Sequence, residues 1–247
     1  MWGDFNRVEW RGFATMVLAI ILSAAIVSAG RPVWADDLNA ATTTRRGDVM
    51  PNASGFFFDD NGSLLTARHA VEGCGALYVL KDGRVSRAEL IAVSDEADLA
   101  VLRTAVSPYL TAVFTKDDRI RPSQPVFTAG YDALSHLKDR ATLMYNGVLL
   151  DRQPGPGEVK VSLFSAADHG ASGSPVLDEG GLVIGLIVRR EMAGAGRSEV
   201  VAVSAPAIKR FLQHLGLAYE DSELAQVSPL QARAPRAATL MVGIICG

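Results

Sequence analysis

Between Ala53 and Val203 the sequence is a succession of short apolar runs, each ended by residues that favour turns. The runs are SGFFF before DDNGS, ALYVL before KDGR, AELIAV before SDEAD, LAVLR, PVFTAGY, TLMYNGVLL, EVKVSLF, SPVL before DEGG, LVIGLIV and EVVAVS. Runs of about four to eight residues with Gly and Asp between them are typical of strands in a barrel or sandwich. The sequence therefore predicts an all-β domain, and KDGR and DEGG have the composition of hairpin turns.

One helix is predicted, at residues 206–215, where the sequence reads PAIKRFLQHL. Four apolar residues recur at helical spacing and share one face: Ile208, Phe211, Leu212 and Leu215. Pro206 suits a first helical turn and Gly216 an end. We expect residues 217–247 to be a C-terminal tail that is loosely ordered or packed on the domain. Their last apolar run is too short to span a bilayer.

The amino-terminal segment differs from the rest of the chain. Residues 13–30 carry no charge, Arg7 and Arg11 precede them, and small residues at Val33 and Ala35 fit a signal-peptidase site. Residues 1–35 are thus predicted to be a cleaved signal peptide, although the run is also long enough for an uncleaved anchor. Both alternatives place the remainder outside the cytoplasm. Residues 36–50 are polar and are predicted to be a linker.

The composition excludes several classes of function. The chain is 49% hydrophobic and 21% charged, which is ordinary for a folded domain, and its net charge of −3 provides no basic field for nucleic acid. No cluster of His, Cys and carboxylates has metal-ligand spacing and no glycine-rich phosphate loop occurs, so neither a metal nor an organic cofactor is expected. The two cysteines, Cys74 and Cys246, can form a disulfide in an exported protein or remain thiols.

The stretch DHGASGSP, residues 168–175, is the first candidate for chemistry. Gly170 and Gly173 flank Ser172 and allow backbone conformations that other residues avoid. Such a turn can present the N–H groups of Gly170 and Ser172 to a single point. A serine becomes a useful nucleophile only when a base removes its proton and the resulting oxyanion is stabilised.

Two further motifs supply what the serine needs. Among the four histidines, His69 stands where a strand ends, in LLTARHAV, and is the best candidate for the base. Asp98, in DEADLAVLR, precedes an apolar strand and can orient the imidazole, although Asp95 and Glu96 compete for that role. The order along the chain excludes an α/β-hydrolase, in which the acid and the histidine follow the serine.

LLTARHAV, ADLAVLR and GASGSPVL together resemble the three motifs of the trypsin-like serine peptidases, most closely the bacterial HtrA/Deg type. The resemblance runs from about Ser54 to Leu215. It implies two six-stranded β-barrels that meet near residue 120, within a peptidase domain of residues 51–216. It also implies Ser172 as nucleophile, His69 as general base and then acid, Asp98 as its orienting partner, and the N–H groups of Gly170 and Ser172 as the oxyanion hole.

The same resemblance indicates where to look for specificity. The pocket is expected around Ala166 and along Leu186, Ile187 and Val188, which predicts a small or aliphatic residue before the scissile bond. Members of the HtrA type commonly carry a PDZ domain after the peptidase domain, and the roughly 30 residues that follow the predicted helix are too few for one. The oligomeric state is left open.

Three hypotheses about function follow. The first is an exported serine endopeptidase, periplasmic or secreted, that cleaves exposed or unfolded polypeptide through an acyl-enzyme. The second is a proteolytically silent protein that keeps the barrels as a binding scaffold. The third is an anchored protein whose β-domain presents an interaction surface, with membrane contact only if residues 13–30 stay uncleaved.

Overall fold

The apolar runs form strands in the computed structural model, which supports the predicted all-β class. The structure describes residues 50–117, 119, 121–136, 141–150, 160–165, 167, 170–192 and 198–247. The predicted signal peptide or anchor, nearly all of the linker, and Ala166 lie outside these residues. The described residues belong to one compact unit, residues 48–247.

Six antiparallel strands close the first barrel. They are β1 (Ala53–Phe57), β2 (Ser63–Thr66), β3 (Leu77–Lys81), β4 (Arg84–Val93), β5 (Ala100–Thr104) and β14 (Met241–Cys246), in the order β1-β14-β3-β4-β5-β2. The predicted KDGR hairpin joins β3 to β4. Asp82 and Gly83 both have positive φ there, 50° and 77°, as a tight two-residue hairpin turn requires.

Eight strands form a second, curled sheet. They are β6 (Val113–Thr115), β7 (Pro125–Val126), β8 (Gly147–Leu149), β9 (Lys160–Ser165), β10 (Pro175–Leu177), β11 (Val183–Met192), β12 (Ser198–Ser204) and β13 (Glu220–Ser222). Their order is β13-β6-β11-β12-β9-β8-β7, and β10 pairs with β11. A single bridge between Phe127 and Leu177 brings the β7 end back to β10. The second barrel is therefore joined at this point by one bridge, whereas the first is closed by continuous ladders.

The chain enters the second sheet earlier than the sequence predicted. We expected the barrels to meet near residue 120, but β6 begins at Val113 and already pairs with β11 and β13. The connection between the barrels is thus the segment after Thr104, the last residue of β5. The ring of the second barrel, β7-β8-β9-β12-β11-β10, begins at Pro125, so the predicted boundary near residue 120 falls between β6 and β7.

The C-terminal segment is part of the fold. Of the two alternatives for residues 217–247, packing on the domain is observed and loose order was wrong. Residues 217–247 contain β13, the helix α3 (Arg233–Leu240) and β14. β14 lies between β1 and β3 and completes the first barrel. Met241, Val242 and Ile244 are fully buried, which accounts for the apolar run at this end of the chain.

A disulfide joins Cys74 to Cys246, with Cα atoms 5.2 Å apart across 172 residues of sequence. This resolves the alternatives that the sequence left open. Cys246 is the last residue of β14, and Cys74 lies five residues after His69. The bond therefore fastens the C-terminal strand beside the segment that carries the histidine.

The hydrophobic core has three parts. One cluster fills the first barrel, a second fills the second barrel, and the third lies between them. In this middle cluster Phe56 of β1 packs beside Phe114 of β6, with ring centroids 6.4 Å apart. A short helix, α1 (Tyr131–His136), follows β7. The predicted helix is present as α2 (Ala205–His214) and buries Ile208 and Leu212 against the core. Within the described part of the chain, no helix is both long and apolar enough to cross a bilayer.

Candidate active site

His69 lies in a short 3₁₀ turn, Arg68–Ala70, that follows β2 directly. Ala67, the residue before the turn, is completely buried, and its carbonyl accepts the N–H of Ala70. The backbone is thus anchored on the core side, and the imidazole projects outward with 48% of its side chain exposed. A histidine that the fold holds at a strand end in this way can reach groups on other loops.

Asp98 is the acidic residue that contacts the histidine, and neither Asp95 nor Glu96 takes this place. Its Oδ2 lies 2.7 Å from Nδ1 of His69, and its Oδ1 accepts the backbone N–H of His69 at 2.9 Å. The loop that carries Asp98 is closed by a backbone bond from Ser94 N–H to Leu99 O, and Leu99 is completely buried. Two hydrogen bonds to one residue fix both the carboxylate and the imidazole.

Ser172 lies on the other side of the imidazole, with its Oγ 3.0 Å from Nε2 of His69. Its loop turns sharply because Gly170 and Gly173 both have positive φ, 79° and 85°. The second glycine is also required by space, since a Cβ at Gly173 would lie only 1.9 Å from the carbonyl oxygen of Ser54. The loop is joined to β11 by the bond from Gly173 N–H to Ile187 O, at 2.7 Å.

The backbone N–H groups of Gly170 and Ser172 are candidates for binding a negatively charged oxygen. Among the described residues, neither of them donates a hydrogen bond. The carbonyl groups of the same two residues are bonded, to Ser54 Oγ and to Ser54 N–H. The loop therefore directs its acceptors into the protein and keeps two donors available.

The three side chains form a hydrogen-bonded series that fits nucleophilic chemistry. An ionised carboxylate can only accept, so the Nδ1 atom of His69 carries the proton that faces Asp98. Nε2 then presents a lone pair to the hydroxyl of Ser172. Such an arrangement can take the proton of Ser172 as its oxygen attacks a carbonyl.

Three of the residues predicted to form the specificity pocket are in the core, and the fourth, Ala166, lies outside the described residues. Leu186, Ile187 and Val188 lie on β11 and are 0%, 2% and 5% exposed. Leu186 and Val188 pack between the barrels and Ile187 packs inside the second one. Their side chains therefore pack against the protein instead of lining an open cleft, because the alternation of β11 turns both of its faces inward at these positions.

Sequence reasoning overlooked Ser54, which holds the nucleophile loop. Its backbone N–H donates to Ser172 O at 2.8 Å and its hydroxyl donates to Gly170 O at 2.6 Å. The sequence contained an indication of this role, because ASGFFF places a serine within an apolar run that is expected to be buried. A buried hydroxyl needs a partner, and here the partner is the candidate site.

Comparison with known proteins agrees with this architecture. Residues 53–186 match the family described as "Trypsin-like peptidase domain". The protein named "Uncharacterized protein y4bJ" of Sinorhizobium fredii (strain NBRC 101917 / NGR234) is 27% identical over 161 residues, which cover 65% of this chain and 25% of that protein. The protein named "Probable periplasmic serine endoprotease DegP-like" of Rhizobium meliloti (strain 1021) is 29% identical over 145 residues, 57% of this chain and 28% of that one.

A solved structure shares the fold. The structure named "HtrA-type protease AlgW with decapeptide" is 20% identical, covers 66% of this chain and 51% of its own, and superposes with a TM-score of 0.51. The chain spans about a quarter of the length of the two curated relatives. The matched family region runs from β1 into β11, more than half of the chain, and contains His69, Asp98 and Ser172. The chain therefore belongs to the family of trypsin-like peptidase domains.

Proposed function

We propose that this protein is a serine endopeptidase in which Ser172 is the nucleophile, His69 the general base and then acid, and Asp98 the orienting carboxylate. The observation that carries the proposal is the series of contacts from Ser172 Oγ to His69 Nε2 at 3.0 Å and from His69 Nδ1 to Asp98 Oδ2 at 2.7 Å. These residues are separated by 103 and 29 positions of sequence. Only the folded chain brings them together.

The reaction begins when Ser172 Oγ attacks the carbonyl carbon of a peptide bond. His69 takes the hydroxyl proton, a C–O bond forms, and the carbonyl oxygen becomes an oxyanion. His69 then gives the proton to the leaving nitrogen as the C–N bond breaks, which leaves an acyl-enzyme. Water, deprotonated by His69, attacks the ester, and Ser172 recovers its proton as the acid product leaves.

The N–H groups of Gly170 and Ser172 are assigned to the oxyanion. Because charge develops on that oxygen only in the transition state, donors fixed beforehand lower the barrier more than they improve substrate binding. The loss of one such donor typically costs about 3–4 kcal/mol of transition-state stabilisation. This assignment is supported by the observation that neither N–H group donates a hydrogen bond among the described residues.

The proposed substrate is exposed or unfolded polypeptide outside the cytoplasm. A partly exposed His69 and Asp98, at 48% and 33%, give an extended chain access to the site. The location is supported by the uncharged run of residues 13–30 and by the periplasmic DegP-like relative, whose name describes that protein. No metal or organic cofactor takes part in the proposed steps.

A small or aliphatic residue before the scissile bond is an expectation from the family resemblance alone, because the side chains of Leu186, Ile187 and Val188 are buried. Basic residues are expected to be disfavoured before the cut, because position 166 is alanine and supplies no carboxylate to attract Lys or Arg. Cleavage of a randomised peptide library, read by mass spectrometry, tests this. Enrichment of Lys or Arg before the cut would refute the expectation.

The proposed activity is tested by incubating the purified chain with reduced, carboxymethylated casein, a permanently unfolded polypeptide. We expect fragments from the wild type and none from Ser172→Ala. Cleavage by both proteins would place the activity elsewhere. Binding of casein by both, with no cleavage by either, would favour the silent scaffold.

A further inference from the structure

Ser54 lies on the face of β1 that packs against the second sheet. Phe56 and Phe58 follow at alternate positions on this face and are buried in the cluster between the barrels. Ser54 is also completely buried, so its hydroxyl must find its partners within the protein. It has two: Oγ donates to Gly170 O at 2.6 Å and accepts the N–H of Tyr131 at 2.8 Å.

The backbone of Ser54 contacts the same loop. Its N–H donates to Ser172 O at 2.8 Å, and its carbonyl oxygen accepts Thr66 Oγ1 at 2.7 Å. That carbonyl also lies against Gly173, where a Cβ would meet it at 1.9 Å. One residue of the first barrel therefore touches the nucleophile loop at Gly170, at Ser172 and at Gly173.

The peptide unit between Gly170 and Ala171 is the part of the loop that depends most on the side chain of Ser54. Its oxygen is the acceptor of the Ser54 hydroxyl. Gly130 lies against the same unit, and a Cβ there would be 3.2 Å from Gly170 C and 3.3 Å from Ala171 N. Around Gly170 itself, by contrast, a Cβ would have no described atom within 4 Å.

A glycine with free space around it can turn with little steric resistance. The orientation of the Gly170–Ala171 peptide is therefore set by its hydrogen bond to Ser54 and its contact with Gly130. This peptide connects Gly170 to Ser172 through Ala171. If it moved from its place, these two residues would shift relative to one another, and their N–H groups would no longer converge.

We propose that the hydroxyl of Ser54 is a positioning group for the oxyanion hole. Its hydrogen bond to Gly170 O holds the loop so that the N–H groups of Gly170 and Ser172 converge on the substrate oxygen. The inference rests on the proposed function, since it gives these N–H groups their task. Ser54 itself acts through the loop and touches neither the imidazole nor the carboxylate of the triad.

The test compares Ser54→Ala with Ser63→Ala. Ser63 is a matched control because it is completely buried in the same barrel, and its Oγ accepts hydrogen bonds from Arg103, away from the loop. For a chromogenic peptide substrate we expect Ser54→Ala to lower kcat about tenfold to a hundredfold, with KM nearly unchanged. Ser63→Ala should lose similar stability and keep its kcat.

The pH profile separates this effect from damage to the triad. In Ser54→Ala the midpoint of kcat/KM against pH should stay at the wild-type value, because the contacts of His69 remain. Gly130→Ala is a second variant, in case Ser54→Ala folds poorly. Its methyl group presses on the same peptide from Gly130, and the same loss of kcat at constant midpoint is expected.

Crystal structures of the wild type and Ser54→Ala give a measurement that does not need turnover. We expect the oxygen of Gly170 to face residue 54 in the wild type and to turn away in the variant. An unchanged peptide together with unchanged kcat would overturn the inference. If the wild type itself fails to cleave any substrate, the proposed function fails, and the orientation of the peptide in the two structures alone decides the inference.

Discussion

Asp98 accepts two hydrogen bonds from His69, one from its backbone N–H and one from Nδ1, at 2.9 and 2.7 Å. An asparagine here has one oxygen for two donors. If its NH₂ group faces Nδ1, the imidazole must carry its proton on Nε2 and can no longer accept from Ser172. We predict that Asp98→Asn lowers kcat by about 10⁴-fold with the fold intact.

Steady-state kinetics with a chromogenic peptide measure this loss, and circular dichroism checks the fold. Asp95→Asn is the control, since Asp95 is an exposed residue of the same loop. It should behave as the wild type. A loss of less than tenfold in Asp98→Asn would remove Asp98 from the mechanism.

The C-terminal strand should contribute strongly to stability. Ile244 is completely buried inside the first barrel, whereas Leu230, a few residues before α3, is 92% exposed. We predict that Ile244→Ala lowers the free energy of unfolding by about 2–5 kcal/mol and that Leu230→Ala changes it by less than about 0.5 kcal/mol. Urea titrations followed by fluorescence compare the two, and equal effects would mean that this segment is a loosely ordered tail.

The disulfide should stabilise the fold because it closes a loop of 172 residues in the unfolded chain. For so long a loop, chain entropy gives an upper value of about 5 kcal/mol, and removal of native disulfides typically costs about 2–5 kcal/mol. We predict a loss of this size in the double variant Cys74→Ser, Cys246→Ser. The wild type with a reducing agent should unfold at the same urea concentration as the variant, and a midpoint insensitive to reductant would contradict the bond.

Asp178 makes stability depend on pH. Burial raises the pKa of its carboxyl above the ordinary value, although the N–H groups of Leu182 and Gly180 bond to its oxygen and oppose the shift. A raised folded-state pKa means that the folded protein holds this proton more tightly than the unfolded chain does. The resulting stabilisation is present below the unfolded pKa and is lost as the pH rises through the folded pKa.

Asp178→Asn keeps the accepting oxygen and removes the charge. We therefore predict that the difference in Tm, variant minus wild type, is more positive at pH 7 than at pH 4. Differential scanning calorimetry at the two pH values measures this difference. If this Tm difference is equal at the two pH values, or more positive at pH 4, folding does not raise the pKa of Asp178.

Features that local sequence patterns encode were predicted correctly. Most of the apolar runs became strands, the helix at residues 206–215 is α2 within one residue at each end, and the residues predicted as a triad are in contact. His69, Asp98 and Ser172 each stand in a motif beside a strand, and the resemblance of the three motifs to the trypsin-like serine peptidases predicted their roles. The residues alone left Asp95 and Glu96 as alternatives to Asp98.

Features that depend on pairing between distant segments could not be predicted from the sequence. β14 pairs with β1 across nearly the whole domain, and no local pattern shows which strand an apolar run will join. The same holds for Ser54, whose role appears only once the loop around Gly170 packs on it. The pocket residues of β11 were expected from the family resemblance, which indicates the strand but not that its side chains are buried on both faces.

Labelling by a fluorophosphonate, followed by peptide mapping, tests whether His69 activates Ser172 as a nucleophile. The probe forms a covalent bond only with a serine that a neighbouring base activates. We predict labelling of the wild type on Ser172, none of Ser172→Ala, and very slow labelling of His69→Ala. Equal labelling of the wild type and His69→Ala, or a label on another serine, would contradict this prediction.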